Sequence, residues 1–391
     1  MRRHIRAGAG LLILVGLAAC GGSSGGPPST TSTPKLGGPN PGLTEAQLAS
    51  FDRGQALFEH RFRLAEGHGP EFNTNSCRSC HELPVTGGSS PLYRNFSIVA
   101  DEVGGGLQPV QGALTIVARN FSYERVARET IPADAEVIAQ RNAPATFGMG
   151  LLERISAADI RANEDPADLN GDGIRGRVNF DFAPIGRFGF KAQEAGLEDF
   201  IRGPLFNHLG ITTQPLSFGP LSGGLSIEQQ VSAPESPTED DDDVEDPEMS
   251  FEQLRDLLMF VRELAPPPQL PMDEQAQHGE TLFRQARCDD CHIPNLVTDG
   301  DPVFAFTDLL IHEMGPELAD GVVMGIASGS EFRTAPLWGL RHHAPYLHDG
   351  RADTIADAIA AHGGTGATSR DLFAGLDSDD QAALIAYLET R

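Results

Sequence analysis

Apolar positions recur at helical spacing in only a few places along this 391-residue chain. After Ser250, the residues Leu254, Leu257, Leu258 and Val261 fall on one helix face; Gln253 completes a capping box and Pro266, Pro267 and Pro268 end the element. Thr44 and Gln47 mark a helix start in the same way, and a last helix is expected with Ser378 as its cap and Leu384, Ile385 and Leu388 buried. A shorter pattern occurs twice, as Gly54-Gln55-Ala56-Leu57-Phe58 and Gly279-Glu280-Thr281-Leu282-Phe283. Strand signals are few and short, as at residues 112–118 and 178–182. The pattern predicts a mainly α fold with long loops and few short strands.

The N-terminal pattern is of another kind. Arg2, Arg3 and Arg6 precede an apolar run at residues 11–19, the charged and apolar regions of an export signal, and the run is too short to anchor in a bilayer. Leu17-Ala18-Ala19-Cys20 resembles the lipobox of bacterial lipoproteins, in which the cysteine is acylated, and Gly21 after it fits outer-membrane anchoring. Residues 1–19 are therefore expected to be a lipoprotein signal peptide. Residues 20–42, mostly Gly, Ser, Thr and Pro, are expected to be a flexible tether to a membrane facing the periplasm.

Net charge is −26, which excludes nucleic acid and anionic lipid headgroups as natural partners and suits a basic redox protein. An acidic run, Glu239 to Asp243, lies in a polar stretch near residues 224–249 that is expected to be a solvated loop.

The chemistry rests on the cysteines. There are five: Cys20, then Cys77 and Cys80 before His81, then Cys288 and Cys291 before His292. C-x-x-C-H is the attachment motif of c-type haem: the thiols bond the haem edge and the histidine reaches the iron. A redox dithiol or a zinc site would also use C-x-x-C, but neither explains a histidine directly after both copies. Two covalently bound haem c groups are expected, with His81 and His292 as proximal ligands. A second repeat, Arg141-Asn142-Ala143-Pro144 and Arg333-Thr334-Ala335-Pro336, follows the motifs. Two similar haem domains are expected, at residues 43–268 and 269–391. The first carries an inserted loop with Gly67, Gly69, Pro70 and Asn73, because 19 positions separate Phe58 from Cys77 where 5 separate Phe283 from Cys288. Asp168, Asn170 and Asp172 alternate ahead of Gly173 like the start of a calcium loop, with an Asx-rich turn as the other reading.

With these motifs placed, the chain resembles the bacterial di-haem cytochrome c peroxidase superfamily, and more closely its exported di-haem oxidoreductases, formerly labelled thiol oxidoreductases. The resemblance lies in Gly69-Pro70-Glu71-Phe72-Asn73, in residues 186–192 and 306–315, and in Ala344-Pro345-Tyr346-Leu347-His348-Asp349-Gly350-Arg351. It implies two cytochrome c-like helical domains, a C-terminal haem taking electrons from a small redox protein or other donor, and an N-terminal haem reducing peroxide or a similar oxidant.

In the peroxidases the second ligand of the C-terminal iron is a Met fourteen residues after the histidine of His-Asp-Gly. Here that position is His362, which makes a bis-His haem the expectation, with His312 and Met314 as other candidates. For the first iron the other side is open to His208, His60, His68, Met149, Lys191 or no protein ligand. The peroxidases' distal Glu is missing, so His208 or Glu153 is the candidate for catalytic proton transfer. Phe190 stands where relatives place a Trp, and Trp338 is the chain's one Trp. Two other readings fit the same motifs: an electron-transfer lipoprotein with two six-coordinate haems, and a haem oxygenase or other substrate-oxidising enzyme.

Overall fold

The computed structural model describes residues 34–123, 131–180, 184–216, 237–240, 242–298 and 301–391. The signal segment, Cys20, most of the tether and much of the acidic loop lie outside these.

The helices are α1 (Glu45–Glu59), α2 (Met149–Glu153), α3 (Ala157–Arg161), α4 (Leu197–Pro204), α5 (Phe251–Glu263), α6 (Glu274–Gln285), α7 (Ile355–Ala360), α8 (Ala367–Ala374) and α9 (Ser378–Glu389). Thr44 with Gln47 and Ser250 with Gln253 form both halves of their capping boxes. The cap of α9 is Asp377, one residue ahead of the expected Ser378: its carboxylate accepts from the amides of Asp379 and Asp380, where its charge also suits the helix N-terminus.

Two helix pairs carry the haem motifs. In the first, α1 crosses α5 at Gly54, where a Cβ would stand 1.9 Å from the Asp256 carbonyl oxygen. In the second, α6 crosses α9 at Gly279, where a Cβ would stand 1.9 Å from that of Ala383. The repeated glycine is therefore a contact point between backbones. The phenylalanine four residues later faces a core: Phe58 packs on Phe260, and Phe283 on Tyr387. Leu254, Leu257, Leu258 and Val261 line the buried face of α5 as expected, each burial contributing roughly 1.5–3 kcal/mol. Leu384 and Leu388 do the same in α9, with Tyr387 in place of the half-exposed Ile385.

The two cores lie within one compact unit, and the first extends across the motif boundary to take in Leu296, Val303, Leu309 and Leu310. No helix among the described residues is long and apolar enough to cross a membrane.

The described residues are 33% helical, so helices organise the cores without dominating the length, and a mainly α fold is not confirmed. The strands are β1 (Glu71–Phe72), β2 (Phe96–Val103), β3 (Gly106–Pro109), β4 (Phe121–Ser122), β5 (Val137–Arg141), β6 (Leu296–Thr298), β7 (Asp301–Val303), β8 (Ile311–Glu313) and β9 (Glu331–Arg333). The main sheet is antiparallel, in the order β3-β2-β5. The stretch at 112–118 contributes an isolated bridge, Val117 to Ile98, and that at 178–182 a bridge from Phe180 to Ile185. The inserted loop after Phe58 forms β1, which pairs with β4 and brings Asn73 towards the single π turn Leu205–Leu209 that follows α4.

Candidate functional site

At both motifs the cysteines open a short helical turn, Cys77–Ser79 and Cys288–Asp290, and the histidine amide closes it on the first cysteine's carbonyl, at 3.1 Å for His81 and 2.9 Å for His292. Burial pushes the thiols of Cys77 and Cys288 up to about 12 and that of Cys80 up to about 11, which disfavours thiolate redox or zinc chemistry.

Each motif histidine is held at one nitrogen. His81 Nδ1 lies 3.2 Å from the Gly88 carbonyl oxygen, and His292 Nδ1 lies 3.0 Å from that of Phe306. A carbonyl can only accept, so Nδ1 carries the proton and Nε2 keeps its lone pair for a metal. Gly88 is required for this: its Cβ would fall 1.8 Å from the Leu83 carbonyl oxygen, where the loop folds back on itself. Both rings are partly exposed, although burial lowers the basicity of both, His292 to about 4.

Each motif histidine has a candidate counterpart. His362, after α7, donates from Nδ1 to Ala358 at 2.8 Å, and its charge would bear on His292. His208, in the π turn, is pushed down to about 4, by burial first and then by His81 and Arg119. The other candidates are engaged elsewhere. Among those for the first iron, His60 pairs with Glu66, His68 is bonded at both nitrogens by Tyr123 and Thr74, and Met149 lies in the first core. Lys191 is buried against Asp320, at 3.3 Å, and the Ser328 carbonyl.

His312 spends Nε2 on Asp308 at 2.7 Å and directs Nδ1 at the Cys291 sulfur at 3.9 Å. Burial opposes its charge, but Asp308 holds its pKa up to about 10. It lies beside the second motif, where Asp308 favours its protonated form. Met314 supports the His362 loop: a Cβ on Gly366 would lie 3.4 Å from its Cε.

Glu153 divides its oxygens between Arg262, at 2.6 and 3.2 Å, and the amide of Leu197 that opens α4. That is a structural ion pair, and it leaves His208, whose basicity His81 lowers, as the candidate polar group at the first motif. Asp168, Asn170 and Asp172 accept from the amides of Gly173, Asp172 and Ile174, and Asn170 also donates to Asp172. Their oxygens close an Asx-rich turn. Trp338 packs over Gly148 against the first core, and Phe190 lies beside His348.

Sequence reasoning missed two features. One is the buried group in which Asp320 meets Arg141 and Lys191; Arg141 carried a signal as the start of the second repeat and Lys191 as a candidate ligand, but Asp320, which joins them, carried none. The other is Arg94, whose Nε is buried without a partner and whose charge bears on Cys80. Histidines whose Nδ1 is held by a carbonyl and whose Nε2 keeps its lone pair suit a haem iron at each motif.

A family model described as "Di-haem oxidoreductase, putative peroxidase" matches residues 110–391. The chain matches no curated protein. Among solved structures it is similar to the diheme peroxidase BthA of Burkholderia thailandensis E264, at 14% identity over 90% of this chain and 86% of that one, TM-score 0.43. It is also similar to a MauG-like protein associated with microbial copper homeostasis, at 17% identity over 90% and 92%, TM-score 0.41. A third likeness is to Kuenenia stuttgartiensis hydrazine synthase, at 14% identity over 97% and 100%, TM-score 0.40.

Proposed function

The chain belongs to the di-haem oxidoreductase family and is an oxidoreductase of two haems, and from this we propose that its second haem relays electrons to a first haem that reduces peroxide or a related oxidant. The observation that carries the reading is the contrast between the two histidine pairs. His362 offers Nε2 in the same manner as His81 and His292, because a carbonyl holds its Nδ1. His208 has no carbonyl at Nδ1. On this reading His292 and His362 would both hold the second iron, and His81 alone the first.

Cys77 and Cys80, and Cys288 and Cys291, would hold the haems covalently, with His81 and His292 beneath the irons. Haem bound at the first site would supply one-electron transfer and cleavage of an oxygen–oxygen bond. The chain's own part there is to leave a coordination position free, to exclude bulk water by burial, and to present His208 to the incoming ligand. A small redox protein, or another donor suited to the acidic surface, would deliver electrons through the C-terminal module. Export, and anchoring through Cys20 to an outer membrane facing the periplasm, would place the enzyme where such donors circulate; Cys20 lies outside the described residues.

The experiment is electron paramagnetic resonance and haem quantitation on protein matured in a periplasm, followed by peroxide consumption with a reduced donor. Two covalent haems, one high-spin and one low-spin, and donor-dependent peroxide loss are expected. Two low-spin haems that leave peroxide untouched in the oxidised and half-reduced states would replace this reading with a simple electron carrier.

A further inference from the structure

Asn73 decides what His208 can do. Its side-chain amide is oriented by two backbone groups whose polarity is not open to choice. The backbone N–H of Asn120 lies 2.9 Å from Oδ1, so Oδ1 must accept. The carbonyl of Ala118 lies 2.9 Å from Nδ2, so Nδ2 must donate. The second hydrogen of that Nδ2 faces Nδ1 of His208 at 3.2 Å. An N–H pointing at Nδ1 requires a lone pair there, and in a neutral imidazole the proton then resides on Nε2.

The rest of the surroundings keep this arrangement in place. The amides of Asn73 and Thr74 both donate to the His208 carbonyl, at 2.8 and 3.2 Å, tying the π turn to the inserted loop. Phe96 from β2 meets the ring edge-on at 4.5 Å. Burial, with His81 and Arg119 nearby, favours the neutral ring, and a protonated one would set two donors against each other at Asn73. His208 is the one partly exposed residue in a turn whose other members, Leu205, Phe206, Asn207 and Leu209, are buried. The nitrogen left free of Asn73 is therefore Nε2–H, on a ring whose basicity His81 lowers.

We propose that His208 is a fixed hydrogen-bond donor at the first haem, neither an iron ligand nor a general base, and that Asn73 is the positioning residue that makes it so. The site then selects small ligands that accept a hydrogen bond: oxygen ligands of the peroxide type and anions such as cyanide, in preference to carbon monoxide. This rests on the reading of the first haem as the substrate site. It adds that proton removal from a bound ligand falls to water or to the ligand itself, since Glu153 is committed to Arg262 and Leu197.

The test uses the full-length holoprotein, with cyanide as the probe of the oxidised form and carbon monoxide of the reduced form. His208→Leu should leave the first haem's spin state unchanged, weaken cyanide about tenfold or more, and raise the carbon monoxide stretching frequency. His208→Gln, which keeps an N–H, should recover most of the cyanide affinity and so separate donation from packing. Asn73→Asp offers Nδ1 an acceptor and should reverse the ring's polarity, moving the first haem towards a low-spin, six-coordinate state with slowed cyanide binding. A wild-type first haem that is low-spin and turns high-spin in His208→Leu would overturn the proposal, as would unchanged cyanide affinity and stretching frequency in that variant. A first module without haem in the wild type would overturn the parent reading and this one together; the other failures overturn this one alone.

Discussion

His362 donates from Nδ1 to the carbonyl oxygen of Ala358, the residue one helical turn before it, at 2.8 Å. The acceptor is fixed within α7 and its end, so the ring's orientation is set locally, and Nε2 is the nitrogen left for a metal. Replacing this ligand by thioether tests its role. His362→Met should raise the second haem's reduction potential by a few tenths of a volt, within the roughly 0.8 V over which axial ligands act. His362→Gly should open that iron and render it high-spin. Spectroelectrochemistry of the holoprotein decides, and an unchanged potential and spectrum in both variants would remove His362 from the iron.

The glycine crossings make a separate prediction about stability. A methyl group on Gly54 or Gly279 meets a backbone oxygen at 1.9 Å, and backbone cannot step aside as a side chain can. Gly54→Ala and Gly279→Ala should each cost about 1–3 kcal/mol or more by forcing a helix pair apart. Gly106→Ala, whose Cβ meets only the Val103 oxygen at 3.9 Å, should stay within about 0.5 kcal/mol. Urea midpoints of the three variants compare them directly, and equal losses would show that the crossings are not close-packed.

These glycines also mark where sequence legibility ends. The two C-x-x-C-H motifs could be read because their residues are neighbours in sequence, and the repeated Gly-x-x-Leu-Phe stretch was visible for the same reason. The use of the glycine was not, because the backbone it touches lies far along the chain. The contact of Asn73 with His208 spans 135 positions and depends on an insertion folding onto a π turn, so no local pattern reports it. The β2–β3 hairpin did have a signal, in Gly104 and Gly105 with φ of +64° and +84°. It was obscured because Ser97 to Ala100 are buried in succession, which removes the alternation that announces a strand.

Asp320 is bonded to two buried cations. Arg141 NH2 lies 2.5 Å from one oxygen and Lys191 Nζ 3.3 Å from the other, with Arg141 and Asp320 4% exposed and Lys191 1%. Burial brings the Lys191 pKa down to about 8, with Asp320 opposing that shift. Asp320→Ala would strand both charges, and a loss of about 3–5 kcal/mol is expected from chemical denaturation. Asp320→Asn, which keeps an acceptor, should lose less. A loss below about 1 kcal/mol in Asp320→Ala would mean that water reaches the cations.

The acidic segment supplies a pH dependence whose sign follows from one hydroxyl. Thr212 Oγ1 lies 2.7 Å from Asp246 Oδ1 and 2.5 Å from Glu248 Oε2, yet it has a single hydrogen to give. The conflict is resolved when Glu248 carries a proton and donates to Thr212, which then donates to Asp246. Burial works in the same direction and raises the Glu248 pKa from 4.5 to about 7. The folded state therefore binds a proton that the unfolded chain has released between about pH 4.5 and pH 7. This contribution to stability is complete below about 4.5 and is lost as the pH rises through 7. Because the side chain is only half-buried, the expected size is about 1 kcal/mol after solvent screening. The Thr212 backbone N–H also donates to Oε2, at 2.6 Å, so Glu248→Gln would keep its amide oxygen there; with no titrating carboxyl, it should flatten this part of the profile. Thermal unfolding of both proteins at pH 5 and pH 8 reads the difference, and a wild type whose stability rises across that interval as steeply as the variant's would locate the proton elsewhere.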